Sequence, residues 1–222
     1  VAAGSVDEND DEQGLAHFVE HMAFNGSEHF DKNELVHTLQ RLGVKFGADL
    51  NAQTGFENTT YNIQAQVSDE TLKDVFLVLR DYAGGVKFDE NETQKEKGVI
   101  LEEAKKGFER RFYEKRATYL YPNSIFSRRF PIGQNEIIKG ATGEQLKKFY
   151  ARNYLPSAIS IIVVGDVNVE QIKNLIKQNF SSLSAHGEKI PRDLSLRPFE
   201  GGLASTVEPE LGANVASVLY AG

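Results

Sequence analysis

The string His17-Phe18-Val19-Glu20-His21 constrains this chain more than any other stretch. On an α-helix, residues four apart lie one turn apart on the same face, so both imidazoles can address one ion. Glu20, three residues after His17, falls on that face too. The set offers two neutral nitrogen ligands for a borderline metal, with a carboxylate beside them to handle protons. It reverses the commoner His-Glu-x-x-His order, and the reversed order is itself a catalytic motif. The arrangement works only if the segment is helical. Leu15, Phe18, Val19 and Met22 recur at i, i+3, i+4 and i+7, which predicts an apolar stripe almost opposite the His17/Glu20/His21 face. Asp10, Asp11 and Glu12 precede the helix where its positive end favours anions, and Gly14 marks its start. The bland alternative is an amphipathic helix with two solvent-facing histidines. The apolar neighbours Ala16, Met22, Ala23 and Phe24 and a matching distal carboxylate argue against it.

The chain has 222 residues and a formal charge of −7, with 40% hydrophobic and 26% charged residues. That length permits one large domain or two small ones, with a substantial core. A net negative charge with only isolated basic pairs, Arg110-Arg111 and Arg128-Arg129, argues against a nucleic-acid face. No apolar run is long enough for a helix to cross a bilayer. There is no cysteine, so a metal site has to use His and carboxylates, and no disulfide is available. The sequence opens at Val1 as if within a strand, and it is read as a piece of a longer protein.

Val1 to Val6 reads as a strand and is followed by the metal helix to about Phe24. Asp31 then caps a second helix with Leu35, Val36, Leu39 and Leu42 as its apolar stripe and Gly43 as its stop. Phe46 to Ala52 and Tyr61 to Val67 alternate and form a hairpin around Gly55. Ser68 or Asp69 opens a helix ended by Gly84-Gly85, and a long charged helix runs from about Asp89 to Lys115. Tyr121 to Gly140 reads as irregular, Thr142 caps a further helix, and the β-branched run Ile159 to Val164 reads as a buried strand. A last helix covers Val169 to Phe180. Residues 181–200 read as a loop, and Leu203 to Val207 and Val215 to Tyr220 as returning strands. The elements do not alternate regularly, which favours an α+β fold with a mostly antiparallel sheet packed by helices, organised as a single domain over 1–222.

A catalytic zinc takes three protein ligands and keeps a position for water. Lacking cysteine and a third nearby histidine, the chain would draw its third ligand from the carboxylates of Glu96-Lys97-Gly98-Val99-Ile100-Leu101-Glu102-Glu103. Glu96 and Glu103 share a helix face, Glu102 is rotated from it, and Val99 and Ile100 are expected on the inward side. The face argument leaves Glu103 open against a plain solvated charge run.

Gly14 to Ser27 resembles the signature of the M16 (pitrilysin-like, inverzincin) metallopeptidases, and Lys97 to Glu103 resembles that family's distal segment. Asp49 to Thr54 with Thr60-Tyr61 is similar to its substrate-binding edge, and Val163 to Val167 to its late strand-turn. Within the family, the wording around Ala16 to Gly26 resembles the bacterial PqqL-like subgroup. The resemblance implies a mitochondrial-processing-peptidase-like (LuxS/MPP-like) fold and Zn²⁺ held by His17, His21 and Glu103. It also implies Glu20 as the general base and Glu96 as an outer residue orienting one of the imidazoles. Peptide substrate would add as a strand along the hairpin edge at Asn51 and Ala52. Apart from the resemblance, Phe18 and Phe24 are read as shaping a pocket, with plain core packing as the alternative. The implied activity is zinc-dependent endopeptidase action on peptides or unfolded segments, with a non-catalytic metal-binding or scaffold domain as the alternative. Family members close the site with a second homologous half, in the same chain or in a partner subunit. This segment alone is therefore expected to bind zinc but to hydrolyse peptides poorly. The subgroup implies a bacterial periplasmic setting. His29, His37 and His186 read as ordinary.

Overall fold

The computed structural model describes residues 1–44, 50–105 and 120–183, together with 114, 117, 118, 187, 189, 190 and 192–194. Helix α1 (Leu15–Met22) lies at the centre of the principal core. It packs against strand β1 (Leu50–Thr54), strand β2 (Thr59–Ile63), helix α4 (Glu90–Lys105), helix α6 (Gly143–Asn153) and the 3-10 turn Ser5–Asp7. Leu15, Phe18, Val19 and Met22 are completely or almost completely buried, as their spacing predicts. The opposite face is not wet either: Glu20 is buried and both histidines are largely covered. This helix is core on nearly every side, so polar groups on it have to be satisfied by protein or ligand.

Two glycines allow α1 to start where it does. Gly14 (φ 104°) and Gly133 (φ 74°) sit back to back, and a Cβ on Gly133 would lie 2.3 Å from the Gly14 Cα. Both occupy left-handed conformations that side chains disfavour, and neither leaves room for one.

β1 and β2 form an antiparallel hairpin in the register Asn51↔Asn62, Ala52↔Tyr61 and Thr54↔Thr59. The first residues are not a ladder strand as expected. Val1 exchanges two backbone hydrogen bonds of 2.9 Å with Thr59, and the chain then tightens into the 3-10 turn at Ser5–Asp7. Helix α2 (Lys32–Arg41) begins at Asp31, whose side chain accepts from the Glu34 amide in a capping box, and Gly43 follows with φ 76°. Helix α3 (Asp69–Gly84) begins at Ser68, which caps it through the Thr71 amide, and packs on helix α7 (Val169–Phe180). The segment expected to be irregular contains a 3-10 turn, Ile125–Ser127, and a short helix α5 (Asn135–Gly140), which packs on α4. Thr142 caps α6 through the Gln145 amide, as its sequence suggests.

Two expectations fail on burial. Ile159 to Val164 forms no strand among the described residues, and Ile162 and Val164 are 85% and 92% exposed. Branched side chains set the backbone preference of a run, whereas burial depends on a partner surface that the sequence does not name. Val99 is 53% exposed, because the inward face of α4 runs through Thr93, Lys97 and Ile100. The earlier part of the first strand, from Phe46, lies outside the described residues, as do most of the charged helix beyond Lys105, His186 and the two returning strands. The fold is α+β, with helices around a small antiparallel sheet. No described helix is long and apolar enough to cross a membrane.

Candidate metal centre

α1 and α4 together assemble the site. The His17 and His21 Nε2 atoms stand 3.2 Å apart, and Glu103 Oε2 from α4 lies 3.4 Å from the His21 Nε2 and 3.7 Å from the His17 Nε2. Donors held tetrahedrally at about 2.0–2.1 Å from a zinc-sized ion stand about 3.3 Å from one another. The three atoms therefore fit one such ion without rearrangement, and two imidazole nitrogens with one carboxylate oxygen form a donor set suited to it. Glu102 turns away and pairs with Lys105, so α4 presents Glu103 rather than its neighbour.

A second layer fixes the first. Glu96 Oε1 lies 2.8 Å from the His21 Nδ1, and Glu96 Oε2 accepts from the Asn25 amide nitrogen at 2.9 Å. Asn25 also donates to the His21 carbonyl at 3.1 Å, tying the end of α1 to α4. A carboxylate on Nδ1 fixes the tautomer and leaves Nε2 facing the centre. Against the penalty of its own burial, Glu96 is held below the usual carboxylate range by His21 and Asn25. Burial opposes charge on His21, but hydrogen bonds to Glu103 and Glu96 overcome it and push the imidazole up to about 9.

Glu20 is buried against β1, where its Oε2 accepts from the Thr54 hydroxyl at 2.6 Å. Burial, partly offset by Thr54 and by the nearby His21, raises its carboxyl above the usual range. The other predicted site residues are spread along the hairpin and core. Asn51 is exposed on β1, where its Oδ1 accepts from Asn62 at 3.1 Å, and Ala52 is half-buried beside it. Phe18 is fully buried in the core cluster with Leu15, Ile100 and Phe149, so it is packing and not a pocket wall. Its place on the apolar stripe of α1, opposite the ligands, is the physical reason. Reading the sequence missed Asn25 and Thr54, whose roles depend on contacts 71 and 34 residues away. It also passed over His29, which joins Glu28 and Asp81 in a second cluster of possible donors.

The chain belongs to peptidase family M16: residues 1–120 match the family described as Insulinase (Peptidase family M16). Residues 140–221 match the description Peptidase M16 inactive domain. The probable zinc protease PqqL of Haemophilus influenzae is 36% identical over 184 residues, covering 82% of this chain and 20% of that protein. The chloroplastic stromal processing peptidase of Pisum sativum is 32% identical over 222 residues, covering 97% of this chain and 17% of that protein. The crystal structure of the first half of the periplasmic protease PqqL from Escherichia coli superposes with a TM-score of 0.83 at 32% identity, covering 89% of this chain and 43% of that one. The chain thus spans about a fifth of the length of these two curated relatives.

Proposed function

We propose that this chain forms the zinc-holding part of a metalloendopeptidase that cleaves peptides or unfolded protein segments. The observation that carries the reading is the convergence of His17, His21 and Glu103 on one point, with Glu20 buried on the helix that carries both histidines. His17 and His21 Nε2 and Glu103 Oε2 would hold Zn²⁺, and Glu96 orients the His21 ring through Nδ1. The ion supplies Lewis acidity to a water and to a peptide carbonyl. Glu20 accepts the proton of the attacking water and delivers it to the departing amine. β1 pairs with β2 on one side and has no strand partner on the other among the described residues. A peptide extended along that edge, contacting Asn51 and Ala52, would gain main-chain hydrogen bonds with little dependence on its sequence.

Residues 1–222 act as a single peptidase-type domain, supported by the packing of α6, from the second matched segment, on α1 from the first. A second homologous half, in the same chain or in a partner subunit, completes the site. The relatives' much greater length and the two-half organisation implied by the Escherichia coli structure support this. The same relative supports a periplasmic location.

The test uses the full-length protein containing this segment. Zinc is measured by elemental analysis, and cleavage is followed on a quenched unstructured peptide with and without chelator. Glu20→Gln should lower kcat by at least about 10²–10⁴-fold with zinc still bound. Full activity in that variant would remove Glu20 as the base. Zinc bound without cleavage in the wild-type full-length protein would favour a metal-binding scaffold instead.

A further inference from the structure

We infer that Thr54 is a positioning residue for Glu20, so that the strand proposed to receive substrate also aims the proton-handling carboxylate. This rests on the peptidase reading above. Thr54 is the last residue of β1 and is nine-tenths buried, with its Oγ1 2.6 Å from Glu20 Oε2. That separation belongs to the short range of hydroxyl-to-carboxylate hydrogen bonds. A threonine hydroxyl has a single proton to give, so where it goes can be reasoned out. The neighbouring hydroxyl, Thr59 Oγ1, is 3.4 Å away, but Thr59 donates to the Ala3 carbonyl at 2.9 Å. Thr54 is left to direct its proton at Glu20.

The anchor is rigid. Thr54 pairs with Thr59 in the hairpin register, and the turn beyond it closes through Gly55 N–H to the Asn58 carbonyl at 2.8 Å. The Ser5 amide then donates to the Gly55 carbonyl at 3.2 Å, fastening the strand end to the turn before α1. Glu20 needs such an anchor, because the terminal torsion of a glutamate is broad and two-fold. The Thr54 backbone also hydrogen-bonds Glu20, and the hydroxyl on Oε2 adds the contact that fixes the carboxylate plane for proton transfer. Side-chain alternation places Ala52 on the same face of β1 as Thr54. A peptide paired with that strand would then be held by the same backbone that holds the base.

The variants are Thr54→Val, which keeps the shape and removes the hydroxyl, and Thr54→Ser, which keeps the hydroxyl. In the zinc-loaded full-length protein, Thr54→Val should lower kcat by about 10- to 100-fold, the scale of a misplaced reacting group, with KM and zinc stoichiometry unchanged. Thr54→Ser should restore most of the rate. Crystal structures of the zinc-free variants provide a readout independent of turnover: Glu20 should keep its hydroxyl contact in Thr54→Ser and turn away from the strand end in Thr54→Val. The inference is overturned if Thr54→Val retains the wild-type kcat, if Thr54→Ser loses as much rate as Thr54→Val, or if Glu20 stays in place without the hydroxyl. If the wild-type protein itself shows no zinc-dependent cleavage, the peptidase reading fails instead, and the Glu20 position in the crystals still decides the anchoring.

Discussion

Among the described residues two clusters offer nearly the same ligands, and they differ in what already holds their donor atoms. His17, His21 and Glu103 bring their donor atoms within 4.8 Å of one another, and so do Glu28, His29 and Asp81. In the second cluster a cation is already present. The Arg80 guanidinium pairs with Glu28 and lies 3.2 Å from Asp81 Oδ1. Asp81, fully buried, also accepts from the Ser27 hydroxyl at 2.6 Å, the His29 amide at 2.9 Å and the His29 Nδ1 at 2.7 Å. Its oxygens are engaged by the turn at 27–29 and by its own helix, and the cluster acts as a structural tie. In the first cluster the two Nε2 atoms and Glu103 Oε2 face each other instead, and the surrounding groups orient them. Proximity of donors does not make a metal site. What counts is whether the donors face a common point or are already tied to a fixed guanidinium and to backbone and hydroxyl groups.

That contrast can be broken at several points. The largest effect should come from His17→Ala or His21→Ala, each lowering bound zinc from about one equivalent to background, since two ligands rarely suffice. His29→Ala should leave zinc content unchanged, and zinc lost from that variant would undo the distinction. Asp81→Asn should keep zinc but destabilise the fold by about 1–3 kcal/mol, read as a lower thermal midpoint, because buried donors lose their acceptor. Glu96→Gln should weaken zinc affinity about 10- to 100-fold by releasing the His21 ring. Glu28→Gln, at an exposed ion pair, should leave zinc affinity alone and shift stability by no more than about 1 kcal/mol.

The pH dependence gives the finest discrimination. His21 is pushed up to about 9 from an ordinary 6.5, so below about 9 an incoming ion must displace its proton. Zinc affinity should therefore climb about tenfold per pH unit toward 9 and flatten above it. For the chelated protein the sign is opposite. A raised imidazole pKa lends stability that is fully present below about 6.5 and is lost as pH rises through about 9. Thermal midpoints of the metal-free wild type should fall across that window, and those of His21→Ala should not show that component of the fall.

The sequence displays some of this arrangement and conceals the rest for identifiable reasons. His17, Glu20 and His21 are legible because their geometry is set within one turn of helix. Glu103 is visible only as one of three glutamates, since the choice depends on how α4 approaches α1. Val99 misleads because the buried face of α4 includes Lys97, a residue type that hides an inward face. The Asp31, Ser68 and Thr142 caps are legible because a cap is a local hydrogen bond. Asp81 gives no signal at all. Its partners at 27–29 lie more than fifty residues away along the chain.

The uncovered run at Ile159 to Val164 bears on how this protein can be handled. It is a charge-free, β-branched stretch with Ile162 and Val164 open to water, and exposed segments of that composition pair readily with strands from other molecules. In a concentrated preparation of this segment, self-association should start there. A lysine at 162 or 164 is the gatekeeper change that should keep it dispersed.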